Sequence, residues 1–358
     1  MNSRSARIRR GRLLLFLPLL LAACPGPDAT YAAGNAAAAG AAQVSSTQLT
    51  LDNTRFLVNG KPVFLLGFSY YGALGAPAEF IESDLNEFQR LGFNWLRVWA
   101  TWRSAGTPVS ALDAEGNPRQ PFFGRLRSLV KECDRRGMMV DISLAREKDK
   151  PESGLLPDST AHRRAVETLL SSLKEHRNWY LDLANERDVR DGRYVGVAEL
   201  TELRALARSL DPKRIVTASF GGHDLTAADI RAALQVAGLD FLAPHRPRAP
   251  GSPAQTKDRT LACLEIMNQA GRSVPIHYQE PFRRGYQNWE PAAEDFLADL
   301  RGAVEGGAAG WCFHNGQQRG APGDEPRRSF DLSRRSLIEQ LDSEERKFIN
   351  QARSALDR

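Results

Sequence analysis

From residue 63 to residue 313 the hydrophobic period of the chain keeps switching between apolar runs of strand length and longer stretches with apolar residues three and four apart. Strand-like runs fall at 63–70, 94–100 ("NWLRVWA"), 138–144 ("MMVDISL"), 178–185, 214–220 ("RIVTASF"), 239–245 ("LDFLAPH"), 274–280 ("VPIHYQE") and 308–313 ("AAGWCF"). Helical patterns separate them. In "PAEFIESDLNEFQRLG", Phe80, Ile81, Leu85, Phe88 and Leu91 share one face, Pro77 suits the first turn and Gly92 the stop. "PFFGRLRSLVKECDRRG" repeats that grammar and stops at Gly137. Further helices are predicted near 160–175, 196–210, 224–236, 257–270 and 290–305, with a last one near 334–356. Eight strands, each followed by a helix, predict an α/β protein folded as a (β/α)8 TIM barrel. An open doubly wound sheet is the rival, but no glycine-rich phosphate loop follows the first strand. Ahead of the barrel, the apolar runs around Asn59-Gly60 predict a β-hairpin.

The N-terminus has a different character. "MNSRSARIRRGRLLLFLPLLLAAC" combines Arg4, Arg7, Arg9, Arg10 and Arg12 with an apolar run from Leu13 to Ala23, too short for a stable membrane span and suited to a secretory signal. Its Leu21-Ala22-Ala23-Cys24 ending resembles the bacterial lipobox, which implies lipid on Cys24. The competing reading is an ordinary signal cut nearby. The expected organisation is therefore a lipoprotein signal peptide over 1–23, an Ala/Gly-rich tether over 24–46 and the barrel over 47–358, with the protein exported and lipid-anchored to the cell envelope. Five of the 48 Lys and Arg residues lie in this signal, which has no acid, so the remainder carries 43 basic against 43 acidic residues. That balance gives no support to nucleic-acid binding. Cys133, Cys263 and Cys312 form no CxxC pair and suit buried apolar roles, and the six His show no metal-ligand spacing, so neither metal nor cofactor is expected.

In a TIM barrel, side chains at the C-terminal strand ends converge on one face. Those ends carry Ser69, Tyr70 and Tyr71; Arg97, Trp99 and Trp102; Asn185 and Glu186; His245; Tyr278 and Glu280; and Trp311, His314 and Asn315. Glu186 and Glu280 are three βα units apart, at roughly 30 residues per unit, which suits strands four and seven. Two carboxylates among aromatic and amide neighbours is an inventory for cleaving sugars.

At this point "LDLANERD" and "VPIHYQEPFRRG" resemble clan A of the glycoside hydrolases, in cellulase- and mannanase-like style, and the likeness extends from about Arg55 through strand eight. The resemblance implies retaining hydrolysis of a β-linked glycan, with Glu280 as nucleophile and Glu186 as acid/base. Their carboxyls are then expected about 5 to 5.5 Å apart. Arg97 is expected to keep Glu280 ionised, and the charge on Glu280 to raise the pKa of Glu186. Asn185, His245, Tyr278, Trp311, Tyr70 and Trp102 are the expected substrate contacts, Tyr278 through its shared strand parity with Glu280. Core packing competes with sugar stacking for Trp311, and is even with it for Trp99 and Trp102. A turn role competes for His245.

Two features depart from the family pattern. The Tyr that often follows the strand-six His by two residues is replaced by Pro247, and the frequent strand-three His is missing, with Arg146 nearby instead. Arg146, Arg246, Arg248, Arg283 and Arg284 near strand exits suggest an acidic sugar, and read equally well as solvated loop charge. A carbohydrate-binding lipoprotein without turnover, or a transglycosylase, fits the same residues.

Overall fold

The computed structural model describes residues 47–104, 107–144, 156–190, 193–284, 289–314 and 330–357. The signal, the tether, Cys24, Arg146 and Asn315 lie outside the described residues.

The Asn59-Gly60 turn forms as expected, both residues having positive φ (51° and 76°), as a two-residue hairpin turn requires. It joins β2 (Arg55–Val58) to β3 (Lys61–Val63), and β1 (Leu49–Asp52) adds a third antiparallel strand. This small sheet plugs the N-terminal end of a barrel. Phe56 is fully buried there, its ring 5.2 Å from Phe241 and 6.5 Å from Tyr180, over a layer that includes Leu65, Trp95 and Met139.

The barrel strands are β4 (Leu65–Ser69), β5 (Trp95–Trp99), β6 (Met139–Ser143), β7 (Trp179–Asp182), β8 (Val216–Thr217), β9 (Ser219–Phe220), β10 (Ala243–Pro244), β11 (His277–Tyr278) and β12 (Gly310–Phe313). One parallel sheet runs in the order β8-β7-β6-β5-β4-β12-β11. The fifth strand changes partner at Ala218, so that β8 pairs with β7 while β9 pairs with β10. A bridge between Leu242 and Ile276 then closes the ring. The fold is the expected α/β TIM barrel.

The helices are α1 (Ala78–Arg90), α2 (Phe122–Arg135), α3 (Ser159–Ser172), α4 (Val197–Leu210), α5 (Ala227–Arg231), α6 (Thr256–Gln269), α7 (Ala293–Gly306), α8 (Leu337–Gln340) and α9 (Ser343–Ala352). Two differ from expectation. The fifth is an α-helical turn from a Thr226 capping box, followed by a π-helical turn over Ala232–Val236. The last splits at Leu341, because Ser336 with Glu339 and Asp342 with Glu345 form separate capping boxes. Among the described residues no helix is long and apolar enough to cross a membrane.

Side chains alternate along each strand between barrel interior and helix layer. The interior has a polar middle: Arg97 of β5, Asp141 and Ser143 of β6, Asp182 of β7 and Gln279 after β11, all buried. Close approach within this interior demands glycine at position 67. A Cβ there would lie 1.9 Å from the Trp95 carbonyl oxygen and 2.4 Å from its indole. Gly67→Ala should therefore cost about 3 kcal/mol or more. Urea unfolding measures this, and an unchanged midpoint would contradict the packing described.

Candidate functional site

At the C-terminal end of the barrel the backbone after β7 turns sharply. Glu186 has φ +46°, a left-handed conformation unusual for glutamate, and its N–H donates to Ser219 Oγ at 3.0 Å. That turn brings Glu186 toward Glu280, which follows the end of β11. One carboxylate oxygen of each and a ring nitrogen of His245 lie within 4.8 Å of one another. Such a triad could ligate a cation, but two guanidinium groups already hold the carboxylates and would repel a further positive charge.

The two acids are held differently. Glu280 is nearly enclosed, its side chain 6% exposed against 25% for Glu186. Its Oε1 accepts from Tyr71 OH at 2.8 Å and from Arg97 Nη1, and its Oε2 accepts from Arg248 Nη2 at 2.8 Å. Burial opposes its ionisation, but the electrostatic surroundings of His245, Arg97, His314 and Arg248, with the two guanidinium charges among them, outweigh burial and hold its carboxyl well below the usual carboxylate range. Glu186 Oε1 faces His245 Nδ1 and Arg248 Nη2, each at 3.2 Å. Burial raises its pKa, yet the His245 contact and the charges of Arg248 and Arg97 bring it down to about 2. The expected upward shift is therefore reversed, first by the His245 contact and then by the charges of Arg248 and Arg97.

Both histidines have fixed roles. Arg97 Nη1 reaches His245 Nε2 at 3.3 Å, and Arg283 Nη1 reaches His314 Nε2 at 3.0 Å; a guanidinium only donates, so each Nε2 accepts and each ring proton sits on Nδ1. His245 thus aims its N–H at Glu186. His314 aims its own at Ser69 Oγ (3.0 Å) and Tyr71 OH (3.1 Å), and Tyr71 passes the chain on to Glu280. Burial keeps His314 neutral and Tyr71 protonated, Glu280's charge adding to the latter.

Arg97 is fully buried. Besides Glu280 it meets Asp182 Oδ2 at 2.8 Å, Asn185 Oδ1 at 3.0 Å, Ser143 Oγ at 2.9 Å and Asp141 Oδ2 at 3.4 Å. Tyr71 packs 5.0 Å from both Trp99 and Trp102, giving the site an aromatic wall on which Trp102 is half-buried.

Of the expected site residues, Glu186, Glu280, Arg97, Asn185 and His245 come together and Trp102 stands beside them. Three do not. Tyr70 points into the helix layer, where its hydroxyl donates to Asp84 Oδ2 at 2.7 Å, the same carboxylate that caps α8 at Leu337 and Ile338. Trp311 also faces outward, donating Nε1–H to Asp299 Oδ2 of α7 at 2.6 Å against Phe348. Tyr278 meets Thr260 of α6 at 2.6 Å. Tyr278 and Glu280 do not share parity in space, since β11 ends at Tyr278 and the chain turns inward before Glu280. Strand alternation could have found their replacements: Ser69 and Cys312 face the interior, at 3.3 Å from each other, so Tyr71 and His314 follow them inward. Tyr71 also supplies the phenol beside Glu280 that Pro247 cannot.

By sequence, no family model and no curated protein matches the chain. By structure it is similar to an endo-1,4-beta-mannanase from Rhizomucor miehei, with TM-score 0.63 and 15% identity over 87% of this chain and 99% of the other. A putative glycoside hydrolase from Bacteroides vulgatus gives TM-score 0.64 at 16% identity, over 87% of this chain and 61% of the other. A GH2 beta-galacturonidase from Eisenbergiella tayi, bound to galacturonate, gives 0.57 at 15%, over 86% and 54%. These likenesses establish the barrel fold.

The outward position of Trp311 has a measurable consequence. Trp311→Phe strands a buried Asp299 oxygen and should lower stability by about 1–3 kcal/mol. Chemical denaturation checks this; an unchanged midpoint would contradict the outward placement of the ring.

Proposed function

We propose that the protein is a retaining glycoside hydrolase acting on a β-linked glycan. The observation that carries this reading is the approach of a Glu186 and a Glu280 oxygen to within 4.8 Å at the C-terminal strand ends. That approach is slightly closer than the about 5 to 5.5 Å typical of retaining enzymes and well short of the 6.5 Å or so that an inverting enzyme needs to hold a water.

The asymmetry of the two acids supports the following roles. Glu280, ionised by its cationic surroundings and oriented by Tyr71 and Arg97, attacks the anomeric carbon and forms a glycosyl ester. The glycosidic C–O bond breaks, and its oxygen takes the proton of Glu186. Water then attacks the same carbon, gives its proton to Glu186, and the ester bond breaks to regenerate Glu280. Glu186 is the more exposed acid, as proton exchange with a leaving group and water requires. His245, with a nitrogen 3.2 Å from Glu186 and 3.6 Å from Glu280, spaces the pair.

One observation favours a second reading. Arg248 bridges the carboxylates and Glu186 is held near pKa 2, which suits a glycan-binding barrel without turnover. In the enzyme reading Arg248 leaves that position when substrate enters.

Kinetics of two variants separate the readings. Glu280→Gln should abolish turnover while keeping the fold and glycan affinity, because an amide cannot form the ester. Glu186→Ala should lose natural glycosides yet still react with activated aryl glycosides, with azide restoring the second step. Unchanged activity in either variant contradicts the assignment, and binding without turnover across a glycan panel supports the second reading.

We further infer lipid anchoring of the exported protein through Cys24, supported by the Leu-Ala-Ala-Cys ending and the Ala/Gly-rich segment after it. Cys24→Ala should abolish membrane fractionation; retained fractionation would contradict the anchor.

A further inference from the structure

Four described arginines leave the barrel near strand exits six and seven, and they divide into two kinds. Arg246 serves the scaffold, donating to Asp224 Oδ1 at 2.9 Å, to Ser252 O at 3.0 Å and to Thr256 Oγ1. Arg284 does likewise with Asp342 Oδ2 at 2.6 Å and Glu290 at 3.4 Å. Arg248 and Arg283 turn inward. Arg248 Nη2 stands between the two glutamates, 3.2 Å from Glu186 Oε1 and 2.8 Å from Glu280 Oε2. Arg283 Nη1 is 3.0 Å from His314 Nε2, and that nitrogen is 3.6 Å from Glu280 Oε2, so a single imidazole separates the second guanidinium from the same carboxylate.

The gap that Arg248 fills is where the reacting atoms must go. A glycosidic oxygen has to reach Glu186 while the anomeric carbon reaches Glu280, so a guanidinium hydrogen-bonded to both has to move aside. Arg248 is 12% exposed on its side chain, and a guanidinium withdrawn from the two carboxylates gives up two charge-assisted contacts in a largely buried setting. A neutral sugar offers nothing to offset that cost. A carboxylate offers a planar pair of acceptors that the guanidinium fork matches.

Resting on the glycosidase reading above, we propose that the substrate is a uronic acid glycan, and that Arg248 reads its carboxylate, leaving the two glutamates for it on the side of the site that Arg283 also lines. The substrate then brings the anion that releases the catalytic pair. The same movement removes one of the cations that, after the His245 contact, lower the pKa of Glu186, and so shifts that carboxyl toward its protonated form. Neutral sugars leave the bridge in place.

The test has two arms, run on the purified wild-type protein and on folded Arg248→Met and Arg248→Lys. Binding of glucuronate and galacturonate is compared with binding of glucose and galactose by titration. Turnover of p-nitrophenyl β-glucuronide and β-galacturonide is compared with that of the matching β-glucoside and β-galactoside. Wild type should bind one uronate at least about tenfold more tightly than its neutral counterpart, and turn over the uronide in preference. In Arg248→Met the uronide kcat/KM should fall on the order of 100-fold, and the uronide-to-neutral ratio should collapse, with Arg248→Lys between the two. Arg248-dependent uronate binding without turnover of any glycoside upholds this inference and removes the hydrolase reading. Turnover of neutral glycosides in preference to uronides does the reverse. Wild type that binds neither uronate, or a ratio unchanged in Arg248→Met, overturns the proposal.

Discussion

A single buried cation organises the upper half of the barrel. Arg97 leaves water completely, and a guanidinium cannot shed its proton, so the strands around it must supply anions and acceptors. They do so from strand three through Asp141 and Ser143, from strand four through Asp182 and Asn185, and from strand seven through Glu280. Burial lowers the tendency of Arg97 to stay charged, but Glu280, Asp141 and Asp182 more than reverse this. Burial likewise raises the pKa of Asp141, with Arg97 opposing and Asp182 adding to the rise. Removing one partner from such a network leaves a buried charge without its counterion, typically at about 3–5 kcal/mol. Scaffold and candidate site are thus one electrostatic object.

The same network gives the two glutamates unequal environments. Glu280 lies deep, with a phenol and two guanidinium groups on it, and has little freedom to hold a proton. Glu186 lies nearer solvent on a strained left-handed turn that Gly221 makes possible: a Cβ at Gly221 would come within 2.7 Å of Val189 and 3.4 Å of the Glu186 Cβ. Strain of this kind persists where the surroundings over-determine it, and here it serves to aim one carboxylate at another. What remains adjustable is Arg248, on a loop rather than a strand.

Period and spacing carried the fold. Eight alternating segments, the Asn59-Gly60 turn and the glycine stops needed only local chemistry, and the strand-end glutamates followed from barrel geometry. The misplaced residues have two sources. The chemistry at the strand ends points Tyr70 and Trp311 inward, whereas the side a residue faces is set by alternation from a known inward neighbour; parity with Glu280 points Tyr278 inward, and that parity fails because the strand ends at Tyr278. Cys312 inward sends Trp311 outward, and His277 inward sends Tyr278 outward, toward Thr260. Glu280 escapes that rule only because its strand has already ended. The pKa of Glu186 is illegible for another reason: it depends on the aim of the His245 ring and on a loop arginine, Arg248, whose reach no periodicity encodes, while Arg246, two residues away, has an unrelated structural task.

The most direct test of the central claim is to trap the covalent intermediate. On the proposed retaining mechanism, a 2-deoxy-2-fluoro glycosyl fluoride slows the second step more than the first, so the ester accumulates and can be located by peptide mass spectrometry. The account predicts one added glycosyl group on the peptide containing Glu280, and its slow loss as water attacks. A glycosyl group on Glu186 instead, or complete turnover with inverted configuration and no adduct, would contradict it.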